Sequence, residues 1–160
     1  MKKLLLLPLS SALALAALAG TATGDGHADK ALTAAIEARQ AQMTLISYNL
    51  GILGAMAKGE ADYDAATATA AATTLSDVAR LNRSLLWPEG SVQGEVPETR
   101  AKAEIWSDAA GFEKSSEDLE AAADALVAAA GTDLAAVQAA MKAAGESCSA
   151  CHKAYRGPRN

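Results

Sequence analysis

Groups that ordinarily carry chemistry are scarce in this chain. Its 160 residues include two cysteines, two histidines, one phenylalanine, two tryptophans and four prolines. Two thiols exclude a disulfide-dense scaffold. Basic residues are also few: 14 Lys and Arg against 19 Asp and Glu give a formal net charge of −5. That sign argues against nucleic acid, whose phosphates demand a basic surface. Aromatic and β-branched runs are sparse, so sheet architectures lack their usual residues, and the Ala-rich remainder reads as helix. No internal repeat or low-complexity linker divides the chain, and its length suits one domain.

The one long apolar run is at the start. Lys2 and Lys3 precede Leu4–Leu18, which is apolar apart from Pro8, Ser10 and Ser11, and Ala17-Leu18-Ala19 offers small residues for cleavage, with a second option around Ala22 to Gly24. A membrane-spanning helix needs about 20 apolar residues, so the run is too short for an anchor. The expectation is a secretory signal over 1–22, cleaved between about 19 and 24, and a mature domain over 25–160. Loss of the two lysines takes the net charge to −7.

Both cysteines fall in one pentapeptide, Cys148-Ser149-Ala150-Cys151-His152. C-x-x-C-H is the attachment signature of c-type haem. Each thiol adds across one vinyl group, and positions i and i+3 of a helix share a face, so both sulfurs reach one macrocycle edge. The adjacent histidine supplies an imidazole nitrogen to iron. A thioredoxin-like pair would want a βαβ setting, and a zinc site would want four ligands. The second histidine, His27, lies in a Gly- and Asp-rich segment expected outside the helices. Export and haem attachment agree with each other, because haem is attached to such proteins outside the bacterial inner membrane, and the inferred home is the periplasm.

Apolar periodicity predicts four helices. The first covers about Asp29 to Lys58, with Leu32, Ile36, Arg39, Met43, Ile46, Leu50, Leu53 and Ala57 on one stripe. The second, about Asp64 to Leu85, turns Ala71, Leu75, Val78 and Leu85 inward. A long connection spans Trp87 to Pro97. The third helix covers about Glu98 to Ala130, and Gly131 with Thr132 or Asp133 introduces the fourth, which lines up Leu134, Val137, Met141, Ala144, Cys148, Cys151 and Tyr155. Alternating steps of three and four form the seam of an antiparallel up-down-up-down four-helix bundle, an all-α fold with the haem edge in its core. Arg39 on a core stripe would be costly without a buried anionic partner, and a haem propionate supplies one. Otherwise it snorkels to the bundle rim, with Met43 as an ordinary gap-filling core residue.

Arg39-Gln40 with Met43, Ala57-Lys58-Gly59 with Tyr63-Asp64, Trp87-Pro88, Ile105-Trp106 and the C-x-x-C-H followed by Tyr155-Arg156 together resemble the class II c-type cytochromes, whose best-known member is cytochrome c′. That protein is itself an up-down-up-down bundle. The resemblance implies one haem c per chain, held covalently by Cys148 and Cys151, with His152 as proximal iron ligand. It implies haem contact by Arg39 and Gln40, and a basic Arg156 beside the proximal face. Trp106 matches an aromatic of the third helix that packs near the macrocycle or in the plain core. Trp87, Tyr63 and Phe112 are taken as packing residues. Pairing as a homodimer through the first two helices is also implied, and redox partners stay unidentified.

The family divides over the sixth iron position, and Met43 matches the relevant residue in both kinds. Ligation by its thioether suits an electron carrier, whereas a closed or crowded distal side suits binding of NO or CO for buffering or sensing. Arg39-Gln40 is nearer the second kind and the stretch Leu50–Glu60 nearer the first. The adopted reading is an electron-transfer protein with Met43 as sixth ligand, and the gas-binding protein is its alternative. An enzyme is not expected, because the residues assigned to the distal side include no histidine or carboxylate to act as acid or base.

Overall fold

The computed structural model describes residues 25–159, with side chains from Asp29 onward. The expected signal segment 1–22 and its cleavage region lie outside the described residues. Five helices follow in order: α1 Asp25–Lys58, α2 Ala65–Ala79, α3 Glu104–Ser107, α4 Ala109–Ala130 and α5 Leu134–Tyr155. The four long ones form the bundle, α1 packing on α2 and α5, α2 on α4, and α4 on α5.

Local chemistry sets most helix ends. Asp64 caps α2 by accepting from the Thr67 N–H at 2.7 Å, and Asp133 caps α5 through the Ala136 N–H at 2.8 Å. Gly59, at φ 72°, terminates α1, and the Glu60 N–H closes back on the Ala55 carbonyl at 2.8 Å.

Three boundaries differ from the periodicity. The first helix starts at Asp25, so His27 falls within it. The second stops at Ala79, because Asn82 turns its side-chain oxygen onto the Ser84 N–H at 2.9 Å, and Leu85, expected inside, is 83% exposed. The third is divided and begins late. Ala101 forms an antiparallel bridge with Arg156, and the Lys102 N–H donates to the Tyr155 carbonyl at 3.0 Å, so these backbone groups are committed to the chain beyond α5. Asp108 (φ −124°, ψ 56°) then breaks α3 from α4 and caps the latter through the Gly111 N–H at 3.2 Å.

Two apolar clusters fill the interior. The larger joins Leu53 and Met56 of α1, Ala68, Ala71, Ala72 and Leu75 of α2, Leu126 of α4 and Val137 of α5. The smaller, at the other end, joins Ala101, Ile105 and Tyr155 with Trp87, Trp106, Phe112 and Cys151. Small alanines on α2 and α4 let these helices approach closely, and Tyr63 latches the larger cluster by donating to the Ala130 carbonyl at 2.8 Å.

Candidate functional site

The cysteine–histidine pentapeptide occupies the last turns of α5. Ala144 and Tyr155 are buried on the same stripe, while Cys148, Cys151 and His152 are half-buried, at the boundary of the core rather than deep within it. Cys151 packs into the smaller cluster. Burial pushes both thiols above their ordinary range, with Cys148 adding to the effect at Cys151. Burial also lowers the His152 pKa, helped by the positive charges of Arg156 and Arg100. The thiols are therefore protonated and the imidazole neutral near pH 7, leaving a ring nitrogen with a free lone pair.

The chain after His152 is pinned to an earlier segment. Arg156 pairs with Ala101, the Gly157 N–H donates to the Arg100 carbonyl at 2.7 Å, and the Arg100 guanidinium returns two bonds to the Gly157 carbonyl at 2.6 and 2.9 Å. Gln93 adds a bond to the Pro158 carbonyl at 3.1 Å. Sequence periodicity carries no signal for this clasp, because it is made by irregular backbone.

Arg39 is 3% exposed, as its core register predicts. It does not reach the rim. Its guanidinium donates to Ser91 Oγ and the Ser91 carbonyl at 2.7 Å each, to Thr99 Oγ1 at 2.6 Å and to the Leu86 carbonyl at 3.2 Å, and lies 4.5 Å from the Trp87 ring centroid. Neutral oxygens and a π face thus share the burial that the sequence reading assigned to an anion, and burial lowers its pKa to about 10. Ser91 and Thr99, both buried, were missed because polar loop residues leave no periodic trace.

Trp87 does more than pack. Its ring meets Phe112 edge-on at 4.9 Å, and Phe112 meets Tyr155 edge-on at 5.3 Å, so an aromatic file runs from Arg39 to the motif helix. Trp106 donates from Nε1 to the Trp87 carbonyl at 3.1 Å. The Trp87 indole N–H is buried and has no acceptor among the described residues.

The remaining first-helix candidates diverge. Gln40 is exposed and donates to the Glu98 carbonyl at 2.7 Å. Met43, expected on the core stripe, is 40% exposed beside an open depression formed with Thr44, Ser47, Tyr48, Gly51 and Ile52. The buried stripe instead passes through Ile36, Arg39, Gln42, Ile46, Asn49, Leu53 and Met56. An apolar-only pattern skips Gln42 and Asn49, whose amides bond to the Val78 and Leu45 carbonyls at 2.9 Å each.

Residues 34–156 match the family model of cytochrome c′. The chain belongs to the cytochrome c′ family. Cytochrome c-554 of Cereibacter sphaeroides is 46% identical over 121 residues, 76% of this chain and 91% of that protein. The solved cytochrome c′ from Rhodobacter spheriodes superposes with a TM-score of 0.78 at 38% identity, covering 80% of this chain and 98% of that one. A nitric oxide complex of a variant cytochrome c prime from Alcaligenes xylosoxidans gives a TM-score of 0.70 at 34% identity, over 79% and 97%. The fold is therefore that of the cytochrome c′ four-helix bundles, and haem c is the cofactor of the family. This chain's residues fit that group: two thiols one helical turn apart, a neutral imidazole beside them, and a buried indole N–H without an acceptor next to a buried guanidinium.

Proposed function

We propose that this protein is a periplasmic monohaem c-type cytochrome that carries electrons and is not an enzyme. The single observation behind this reading is the placement of Cys148, Cys151 and His152, all half-buried, on one face in the last turns of α5. Cys148 and Cys151 hold the macrocycle and His152 is the proximal ligand. Arg39, Gln40 and the free Trp87 N–H serve the propionate side, and Arg156 stands beside the proximal face. Met43, 40% exposed on α1, would serve the distal side as sixth ligand once haem is bound. Haem supplies a reversible one-electron change of its iron when bound. The chain's own part is to fix the two sulfurs, keep the imidazole unprotonated and brace the end of α5 with the Trp87–Phe112–Tyr155 file. Residues 1–22 act as the export signal, leaving the domain over 25–160. Among the described residues no helix is long and apolar enough to cross a membrane. Homodimer formation is supported by the outer face of α1, where Leu45 is 47% and Tyr48 67% exposed.

The test is covalent attachment. A Cys148→Ala, Cys151→Ala double variant should retain no haem after denaturation and acid–acetone extraction, and covalent haem in that variant overturns the reading. In His152→Ala the native spectrum should be lost, whereas an unchanged Soret band removes His152 from the ligand role.

A second reading, an NO- or CO-binding protein, is favoured by the exposure of Met43 and by the nitric oxide complex of the Alcaligenes relative. Ferric and ferrous absorption spectra separate the two, low-spin six-coordinate iron supporting electron transfer and high-spin five-coordinate iron supporting gas binding.

A further inference from the structure

Residues 25–159 carry a formal charge of −7, yet cations converge where α5 ends. Lys153, Arg156 and Arg159 follow the motif, and the clasp brings Arg100 and Lys102 against them: Arg100 bonds to the Gly157 carbonyl, and Lys102 donates from Nζ to the Ala154 carbonyl at 2.7 Å. Carbonyl acceptors leave the guanidinium charge of Arg100 uncompensated. Among the described residues the only ion pair these five make is Lys102 with Glu104, at 3.2 Å. The patch thus holds +4, and the rest of the described chain carries −11.

We propose that this basic window is the docking surface for an acidic, carboxylate-rich face of an electron-transfer partner protein. The inference rests on the electron-carrier reading above. A patch beside Cys151 and His152 stands where electrons enter and leave, and opposite charge there steers a partner into that one orientation. An anionic lipid surface offers the same sign of charge. However, a flat sheet would also confront the −11 remainder, whereas a protein contact buries only about 800 Å² per partner and can confine itself to the window.

The probes are small complex ions acting on the haem-loaded protein. One electron passes from reduced iron to ferricyanide, giving ferric protein and ferrocyanide. Whole-molecule charge predicts that this oxidation speeds up with added salt. The window predicts the reverse: a fall of roughly threefold or more between about 10 mM and 300 mM salt, while oxidation by tris(phenanthroline)cobalt(III) changes in the opposite sense. Independently of turnover, paramagnetic hexacyanochromate(III), compared with diamagnetic hexacyanocobaltate(III), should broaden backbone amides of 100–102 and 152–157 first. Lys153→Glu should weaken both effects, and Lys142→Glu, 11 residues earlier on the same helix, should leave both. A ferricyanide rate that rises with salt, or broadening centred elsewhere, overturns the window while leaving the carrier reading intact. A protein that exchanges electrons with neither oxidant overturns both. Sedimentation with phosphatidylglycerol vesicles that Lys153→Glu abolishes would assign the window to lipid and refute a protein partner.

Discussion

The Tyr155 hydroxyl donates to Asp108 Oδ2 at 2.7 Å while Asp108 Oδ1 caps α4 through the Gly111 N–H. One carboxylate therefore ties the start of α4 to the end of α5, three residues past His152. The bond to Asp108 and burial raise the Tyr155 pKa above its ordinary value of about 10. A raised pKa contributes stability that is fully present below about pH 10 and is lost as pH climbs through the raised value. Urea midpoints should accordingly fall more steeply above pH 10 in the parent than in Tyr155→Phe. Parallel alkaline curves for the two proteins would refute the link.

Arg39 should be hard to replace. Leucine at this position leaves the buried Ser91 and Thr99 oxygens without their donor and should cost about 3 kcal/mol in urea unfolding. Lysine should recover less than half of that, because an ammonium lacks the planar fork that spans Ser91 and Thr99. In the loaded protein Arg39→Leu should also shift the reduction potential, measured by spectroelectrochemistry; an unchanged potential would confine Arg39 to holding the connection.

Much of this was legible from the amino acids, and the gaps have physical causes. Leu75, Val78, Val137 and Ala144 follow helical period, so their burial could be read directly. The pentapeptide announces its chemistry by spacing alone. Gln42 and Asn49 were invisible because a core position held by an amide looks like surface until its carbonyl partner is known. Met43 was assigned to the buried stripe because it is the apolar neighbour of Gln42, whose bonded amide holds the core position. The late start of the third helix depends on Arg156, more than 50 residues away, and no local pattern encodes that pairing.

Trp87 provides a direct check on the propionate side. Phenylalanine keeps a ring beneath Arg39 and against Phe112 but removes the unpartnered N–H. Without haem the loss of that N–H should cost nothing, as it has no acceptor to lose. In the loaded protein Trp87→Phe should change the reduction potential. Identical potentials in parent and variant would remove Trp87 Nε1 from the haem environment.

Met43→Leu tests the distal side. The swap nearly conserves volume and the side chain is 40% exposed, so stability should change by less than about 1.5 kcal/mol. If its sulfur is the sixth ligand, the variant should turn a low-spin spectrum high-spin, lower the potential and admit CO. A high-spin spectrum in the parent at neutral pH overturns ligation.

Acid stability should depend on Asp124. Arg80 and Ser76 bond to its carboxylate and hold its pKa below the ordinary value of about 3.9. A depressed carboxylate contributes stability present above about pH 4 and lost as pH falls through the lowered value. Asp124→Asn should be less stable than the parent at pH 6, and the gap should close below pH 3 by urea unfolding. A constant gap would assign the effect to packing.

The partners that Tyr155 and the clasp meet all precede the pentapeptide in the chain. Arg39, Trp87, Arg100, Asp108 and Phe112 are all synthesised before Cys148 emerges. A ribosome delivers the receiving surface first and the reactive segment afterwards, at about 5–20 residues per second. From the end of α4 at Ala130 to Cys148 is 18 residues, about 1–4 s of synthesis. The clasp at Arg156 and Gly157 closes only once both sulfurs have left the ribosome.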